Sequence, residues 1–211
     1  MTRAPKRIPI VLLERRKAAV KAGQLLTGKG LDIGTVNLVA AEQNVQGEVE
    51  LRLARNAFID VETTAYTKSM LTRLNVPYFM QGSRMYVLGE QAFELANVLN
   101  RNTRRPMKDG LISPKETDAL PIMKLLIGSI LGEPRVTGES CFYSVPGDPV
   151  DADLSVAYHR DLFDAVLKAL GYTPRHILEG HAVTFSELAD DDFTGIGISC
   201  GGGMFNVCVA Y

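Results

Sequence analysis

The sequence is poor in the residues that mark metal-binding and disulfide-bonded proteins. Its 211 residues include 3 cysteines and 3 histidines, and neither set has the spacing of metal ligands. The cysteines lie inside apolar runs, so we expect small core residues of a protein from a reducing compartment. The sequence therefore gives no reason to expect a histidine or cysteine metal cluster.

Long apolar runs and a strong charge imbalance are also missing. No apolar run approaches the roughly 20 residues of a spanning helix, and no secretory signal peptide is recognisable, so we expect a cytoplasmic protein. The net charge of -1 and the pI of about 6.3 do not point to nucleic acid as a partner. With 46% hydrophobic residues, the chain is long enough for one large or two small domains with a sizeable core.

Residues 1–28 form a basic leader that differs from the rest of the chain. Its lysines and arginines are opposed only by Glu14. Two interpretations stay open: a solvated segment that keeps the terminus soluble, or an amphipathic helix lying on an anionic membrane surface. Deleting residues 1–27 would abolish sedimentation with anionic liposomes only in the second case.

The stretch Leu31-Asp32-Ile33-Gly34-Thr35 places a carboxylate, a glycine and a hydroxyl at a bend between two predicted strands. A glycine at such a bend permits a sharp turn and lets backbone N–H groups approach a ligand. A carboxylate in the mouth of the turn is a hard oxygen ligand of the kind that Mg²⁺ takes. The same motif also occurs in ordinary hairpins. On its own it therefore does not distinguish a turn that binds phosphate and metal from a purely structural one.

Periodicity organises the following residues into a meander and a small insertion. Residues 48–54 alternate polar and apolar side chains and predict a third strand. Helices are predicted over 63–74 and 89–99, with a hairpin of residues 78–80 and 85–88 between them. We therefore predict a core subdomain formed by residues 29–60 and 105–211, into which residues 61–104 insert as a small subdomain.

The second part of the core is predicted to alternate helices and strands. Ser113-Pro114-Lys115-Glu116 is a capping-box pattern that predicts a helix start. Pro121 then implies either a kink or a fresh helix start near Asp118. Strands are predicted at 139–145 and 175–179, and helices over 154–170, with Asp153 as N-cap, and 180–188.

A second glycine-rich hairpin closes the sequence. Predicted strands 194–199 and 207–211 flank Cys200-Gly201-Gly202-Gly203. Three consecutive glycines weaken a strand unless the backbone must approach something closely. If both glycine bends lie in one sheet, they could hold a polyphosphate from two sides through backbone donors.

Taken together, these segments resemble the actin-like ATPase superfamily, which includes actin, the heat-shock chaperone ATPases and the bacterial protein MreB. Gly30-Leu31-Asp32-Ile33-Gly34-Thr35 resembles the first phosphate loop of the family, and residues 198–209 resemble its second. Residues 105–112 resemble the stretch that bacterial actins carry where the inserted subdomain returns, and the resemblance is closest to MreB and its bacterial relatives. Ser144-Val145-Pro146 resembles the end of the next family strand.

The resemblance implies a fold class and a set of site residues. The expected fold is α/β, with an actin-like, ribonuclease H-like mixed sheet, flanking helices and a small inserted subdomain. Glu179 stands where the family positions the attacking water, in Glu179-Gly180-His181-Ala182 rather than Glu-Pro-x-Ala. The resemblance further implies that Asp32 is the metal-side residue and that the phosphate-binding residues are Gly34, Thr35, Asn37, Gly201, Gly202 and Gly203.

The sequence departs from the family in two respects. Ser199 stands where the family has a metal-ordering aspartate, while Met204 and Phe205 replace small hydroxyl residues. A serine lacks the negative charge, which is expected to lower hydrolysis. The resemblance spans residues 29–211, and the family's adenosine-contacting half has no counterpart there. We expect either a fragment or a split or degenerate protein.

The resemblance leaves competing functions open. The first is a nucleotide-binding protein of the bacterial cytoskeletal type, which binds ATP and Mg²⁺, self-associates, and is a possible ATPase with impaired hydrolysis. The second is a non-hydrolysing scaffold that keeps the fold. The third is a relative of the chaperone or sugar-kinase type, which substrate-dependent ATP turnover without filaments would indicate.

Overall fold

Alternating β-strands and helices make up the computed structural model, which describes residues 28–148, 150 and 156–211. The strands are β1 Lys29–Ile33, β2 Asn37–Gln43, β3 Val49–Arg55, β4 Phe58–Glu62, β5 Phe79–Gln81, β6 Arg84–Leu88, β7 Met107–Lys108, β8 Leu111–Ile112, β9 Ser140–Val145, β10 Thr173–Leu178, β11 Gly195–Cys200 and β12 Phe205–Ala210. The helices are α1 Ala65–Arg73, α2 Glu90–Val98, α3 Ala119–Leu131, α4 Val156–Ala169 and α5 Glu179–Glu187.

The main sheet is mixed and has the order β10-β9-β1-β2-β3. The meander β1-β2-β3 is antiparallel, as predicted, whereas β9 and β10 run parallel to β1. Side chains alternate across a strand, so Leu31 and Ile33 are buried in the core while Asp32 between them is exposed. The main core cluster includes residues of β1, β2, β9, α3 and α4.

The small sheet β4-β6-β5 has a hydrophobic cluster of its own, shared with α1 and α2. Ion pairs connect this sheet to the following chain, because Arg104 contacts both Asp60 of β4 and Glu116. Burial alone would raise the pKa of Asp60, but Arg104 and Arg84 together hold that pKa below its usual range. The division of the chain at residues 60 and 105 stays a prediction.

The predicted helix start at Ser113 is wrong. Two short turns, at residues 114–115 and 117–118, stand there instead, and α3 begins at Ala119, which agrees with the alternative of a fresh start near Asp118. The Glu116 side chain is held by the Arg104 guanidinium, with an Nε–Oε2 distance of 3.0 Å. It is therefore not free to cap the Ser113 amide, which donates to the Pro106 carbonyl instead. Pro121 lies in the first turn of α3, where a helix tolerates proline.

The expectation that both glycine hairpins belong to one sheet is also wrong. In the described part of the chain, β11 and β12 pair only with each other. Helix α5 lies directly against them: a Cβ built on Gly180 would be 2.7 Å from the Cys208 Cβ, and one built on Gly197 would be 2.9 Å from the Gly180 carbonyl oxygen. These glycines allow the helix and the hairpin to touch backbone to backbone.

One face of the hairpin is apolar and exposed. The cross-strand neighbours Ile196 and Val209, and Ile198 and Val207, are each more than half exposed. None of the helices in the described residues has the length and apolar character needed to cross a bilayer.

Two predictions concern residues that the structure does not describe. Residues 1–27 and the N-cap Asp153 lie outside the described ranges. Both interpretations of the basic leader therefore stay predictions, as does the cytoplasmic location.

Candidate functional site

The first glycine turn joins β1 to β2 and is held by backbone bonds. The Gly34 N–H donates to the Asn37 carbonyl at 3.0 Å. A Cβ at Gly34 would lie 2.7 Å from that carbonyl oxygen, so this close approach needs glycine. Asn56 secures the turn from outside, because its Nδ2 donates to the Gly34 carbonyl at 2.8 Å and its N–H to the Val36 carbonyl at 2.8 Å.

Asp32 stands at the end of β1 beside β9. The Ser144 hydroxyl donates to Asp32 Oδ1 at 2.5 Å, and the Ile33 N–H lies 3.3 Å from the same hydroxyl oxygen. Parallel pairing of β1 with β9 brings these residues together although they are more than 100 positions apart. One carboxylate oxygen is thus engaged, and Oδ2 is directed to the Gly34 side of the turn.

The second glycine turn packs directly on the first. A Cβ at Gly202 would overlap the Val36 Cγ2 methyl, and one at Gly203 would collide with Thr35 Oγ1. These two glycines therefore have a structural role that the sequence did not suggest: they let one loop lie against the other.

The loop between β7 and β8 completes the junction. The Gly110 N–H donates to Thr35 Oγ1 at 3.0 Å, and a Cβ at Gly203 would lie 2.5 Å from the Gly110 nitrogen. Met204 covers Gly110 from the other side, since a Cβ at Gly110 would lie 2.9 Å from the Met204 Cε. Lys108 and Asp109 form an exposed pair with a distance of 3.7 Å, in accord with a solvated loop.

Glu179 is the first residue of α5 and faces the second hairpin. Its Oε2 accepts a hydrogen bond from Asn206 Nδ2 at 2.7 Å and another from the Ser199 hydroxyl at 3.3 Å. Burial, and secondly the charge of Asp32, raise the pKa of Glu179, while the bonds from Ser199 and Asn206 oppose the shift. The Glu179 carboxyl is therefore more basic than an exposed glutamate.

A cavity of about 200 Å³ lies between these elements. Every residue predicted for the site lines it, namely Asp32, Gly34, Thr35, Asn37, Glu179, Gly201, Gly202 and Gly203. Ser199, Cys200 and Met204 line it as well.

Three supporting residues were not predicted: Asn56, Asn206 and the hydroxyl of Ser144 as a partner of Asp32. Asn56 and Asn206 are buried. The sequence signal for Asn206 is a polar amide inside the otherwise apolar run of β12. Asn56 has no such signal in the sequence, because its partners Gly34 and Val36 lie on another loop.

The side chains around the cavity fit a magnesium ion that keeps much of its water. No group of three or more His, Cys, Asp or Glu side chains that could hold a metal occurs in the described residues. The oxygen donors Asp32, Thr35, Glu179 and Ser199 are hard ligands, which suit Mg²⁺ with water and phosphate oxygens as further ligands. Transition metals that prefer sulfur or imidazole are not matched by this set.

The mixed sheet, its flanking helices and the inserted small sheet define an actin-like fold. The chain belongs to the Volactin family, whose model matches residues 28–211. The actin-like resemblance and the fold class predicted from the sequence are confirmed by a solved structure, that of MamK.

One solved structure shares the fold, and two others match with lower scores. The double-helical filament of MamK is 20% identical, with a TM-score of 0.59 over 86% of this chain and 49% of the MamK chain. The ethanolamine utilization protein EutJ from Carboxydothermus hydrogenoformans is 13% identical, with a TM-score of 0.42 over 93% of this chain and 56% of that one. ParM from Bacillus thuringiensis in its apo form is 12% identical, with a TM-score of 0.42 over 89% and 52%. The chain spans about half the length of each of them, and no curated protein matches it.

Proposed function

We propose that this chain supplies the phosphate- and metal-binding part of a site for ATP and Mg²⁺ in an actin-like protein that self-associates. The observation that carries the proposal is the meeting of both glycine turns with Asp32 and Glu179 around one cavity. Backbone N–H groups of such turns bind phosphate oxygens without a side chain in the way.

Each residue then has a role in the proposed site. The turns at Gly34 and at Gly201 to Gly203 hold the phosphates, with Thr35 and Asn37 beside them. The N–H groups of Gly34 and Gly201 already donate to the Asn37 and Met204 carbonyls, so Gly202 and Gly203 are the glycines whose N–H groups donate to the phosphates. Asp32, which the Ser144 hydroxyl orients, lies on the metal side. Glu179 accepts a proton from the attacking water, for which its raised pKa suits it. Bound Mg²⁺ neutralises phosphate charge in such sites.

The nucleotide part of the proposal is tested by titrating the full protein with fluorescently labelled ATP. We expect saturable binding that requires Mg²⁺ and is weakened by Asp32→Asn, because the neutral amide is a poorer magnesium ligand. Asp190→Asn, which removes a negative charge at an exposed position outside the cavity lining, serves as the control for the change in charge. Absence of binding with Mg²⁺ present would contradict the proposal.

Self-association is supported by two observations. The β11-β12 hairpin exposes an apolar face, which soluble monomers seldom leave as a contiguous patch. The similar MamK structure is a double-helical filament. Pelleting of the full protein on addition of Mg²⁺ and ATP, followed by electron microscopy, tests the filament. A protein that stays monomeric under all nucleotide conditions would contradict it.

A non-hydrolysing scaffold is the second candidate, and Ser199 favours it. Its hydroxyl is neutral and is hydrogen-bonded to Glu179, so the second hairpin brings no negative charge of its own to the metal side. In this case the protein would keep its fold and its self-association surfaces without turning over ATP.

The substitution Ser199→Asp separates the two candidates. If the site hydrolyses ATP, the added carboxylate is expected to raise turnover by about tenfold or more, because it orders metal-bound water. Ser199→Asn is the matched control of similar size without charge, and it is expected to give no gain. Phosphate release under steady-state conditions measures both, and an unchanged rate in Ser199→Asp would favour the scaffold.

A further inference from the structure

Asn206 is a buried amide that contacts both sides of the site. It lies in β12 directly across from Ser199 of β11, and it is 8% exposed. Its Nδ2 donates to Glu179 Oε2 at 2.7 Å, and its Oδ1 accepts from the Gly147 N–H at 3.0 Å. A buried amide is costly unless its polar atoms are paired, and here both ends are.

The orientation of the amide follows from its neighbours. The Gly147 N–H can only donate a hydrogen bond, and the ionised Glu179 carboxylate can only accept one. The reverse orientation of Asn206 would therefore set oxygen against oxygen and N–H against N–H.

We infer that Asn206 is a positioning residue that holds the Glu179 carboxylate in the orientation needed to accept a proton from the attacking water. This inference rests on the proposed hydrolysis of ATP. The contact itself exists in the protein without nucleotide, so it can be tested separately.

The geometry explains why Asn206 and not Ser199 is the main support. A glutamate side chain has several rotatable bonds, and a single contact fixes it poorly. Both donors bind Oε2, which leaves Oε1 as the oxygen to accept from water. The Asn206 bond is much shorter than the 3.3 Å Ser199 contact, and short bonds to a charged acceptor are the stronger ones.

The second bond of Asn206 anchors this arrangement to the main sheet. Gly147 follows β9, whose Ser144 orients Asp32. Asn206 thereby joins three segments: the start of α5, the second hairpin and the end of β9. The other hydrogen bond to Glu179, from Ser199, joins only α5 and the hairpin. The water-side carboxylate and the metal-side carboxylate are thus held through the same strand end.

The two bonds can be separated by one substitution. Asn206→Asp keeps an oxygen that accepts from the Gly147 N–H, but it replaces the donor to Glu179 by a like-charged oxygen. We expect kcat to fall about 10- to 100-fold, which is typical of a misplaced catalytic group, while the affinity for Mg²⁺ and ATP stays within about twofold. Asn102→Asp, with the same charge change on the exposed surface, is expected to hydrolyse ATP at the wild-type rate.

A double-mutant cycle tests the contact without any turnover. Urea unfolding of the nucleotide-free protein is measured for Asn206→Asp, Glu179→Gln and the double variant. In the double variant the glutamine amide can donate a hydrogen bond to the new carboxylate. The double variant is therefore expected to have a higher free energy of unfolding than the two single changes, added together, would predict.

The outcomes separate the inference from the function on which it rests. A wild-type kcat in Asn206→Asp, or additive single effects in the cycle, would overturn the inference. If the wild-type protein turns over no ATP, the proposed hydrolysis fails, and the cycle alone decides whether Asn206 holds Glu179.

Discussion

Replacing Gly203 with alanine is expected to lower the free energy of unfolding by about 2–3 kcal/mol, the upper part of the range for overpacking a well-packed site. The new Cβ would collide with Thr35 Oγ1 and lie 2.5 Å from the Gly110 nitrogen. Backbone atoms cannot move aside as the end of a side chain can, so the first loop and the β7-β8 loop must both shift. Urea denaturation of the full protein measures the loss.

Gly201→Ala is the matched control in the same turn. A Cβ there would lie 3.3 Å from the Met204 carbonyl oxygen, a contact that a shift of a few tenths of an ångström relieves. We expect a clearly smaller loss than for Gly203→Ala. Equal losses at the two positions would show that turn conformation, rather than the contact between loops, requires the glycines.

Gly202 offers a test by rescue. A Cβ on Gly202 would overlap the Val36 Cγ2 methyl, and Val36→Ala removes that methyl. We expect Gly202→Ala to destabilise the wild-type protein but to cost much less in the Val36→Ala background. We expect labelled-ATP binding to weaken in the same order, because the two turns that would hold the phosphates lie in direct contact.

These contacts change how the glycine triplet is interpreted. From the sequence, three glycines in a strand turn predicted a phosphate contact. In the structure Gly202 and Gly203 also have a packing role, because the absence of a side chain lets Val36 and Thr35 approach the backbone of the second turn. A glycine selected for packing looks the same in sequence as one selected for a ligand, so composition alone cannot separate the two.

Features that depend on residues close together in the sequence could be predicted, whereas features that depend on contacts between distant residues could not. The meander β1-β2-β3 and the exposed position of Asp32 follow from alternation within short segments. The prediction of a helix start at Ser113 was wrong because the Glu116 side chain is hydrogen-bonded to Arg104. The four-residue capping pattern gives no information about this contact. The separate pairing of β11 with β12 was missed for a similar reason, since it depends on how closely α5 packs on the hairpin.

The residues that support the site were the hardest to foresee. Asn206 meets Glu179 and Gly147 across 27 and 59 positions of the chain. Such partners are set by the three-dimensional arrangement, whereas most residues that line the cavity lie in or next to the two glycine-containing turns that the sequence marks.

Replacing Glu179 with glutamine is expected to lower ATP turnover by about 10²- to 10⁴-fold, which is the usual contribution of a general base. The amide keeps an oxygen that can accept from Asn206, so the surrounding geometry and the affinity for Mg²⁺ and ATP are expected to be retained. Single-turnover hydrolysis measured alongside labelled-ATP binding separates the two effects. A variant that hydrolyses ATP at the wild-type rate would remove Glu179 from the mechanism.

The same substitution, which is expected to lower ATP turnover, is expected to raise the free energy of unfolding at neutral pH. The sign of this change follows from the pKa of Glu179. Burial and the charge of Asp32 raise that pKa in the folded protein above the ordinary value of 4.5. Folding therefore favours the protonated carboxyl, and its stabilising contribution is present below pH 4.5 and is lost as the pH rises through the folded pKa. Glu179→Gln cannot ionise and avoids this loss.

We therefore expect Glu179→Gln and the wild-type protein to differ little in stability under acidic conditions, and the variant to be the more stable one at pH 7. The gain stays below about 1 kcal/mol, because water screens a half-buried carboxylate. Urea unfolding of both proteins across this pH range measures the difference. A variant that is less stable at pH 7 would mean that the hydrogen bonds from Ser199 and Asn206 favour ionised Glu179 more strongly than burial and the charge of Asp32 disfavour it. The same comparison in an Asp32→Asn background, where the repelling charge is gone, should show a smaller gain.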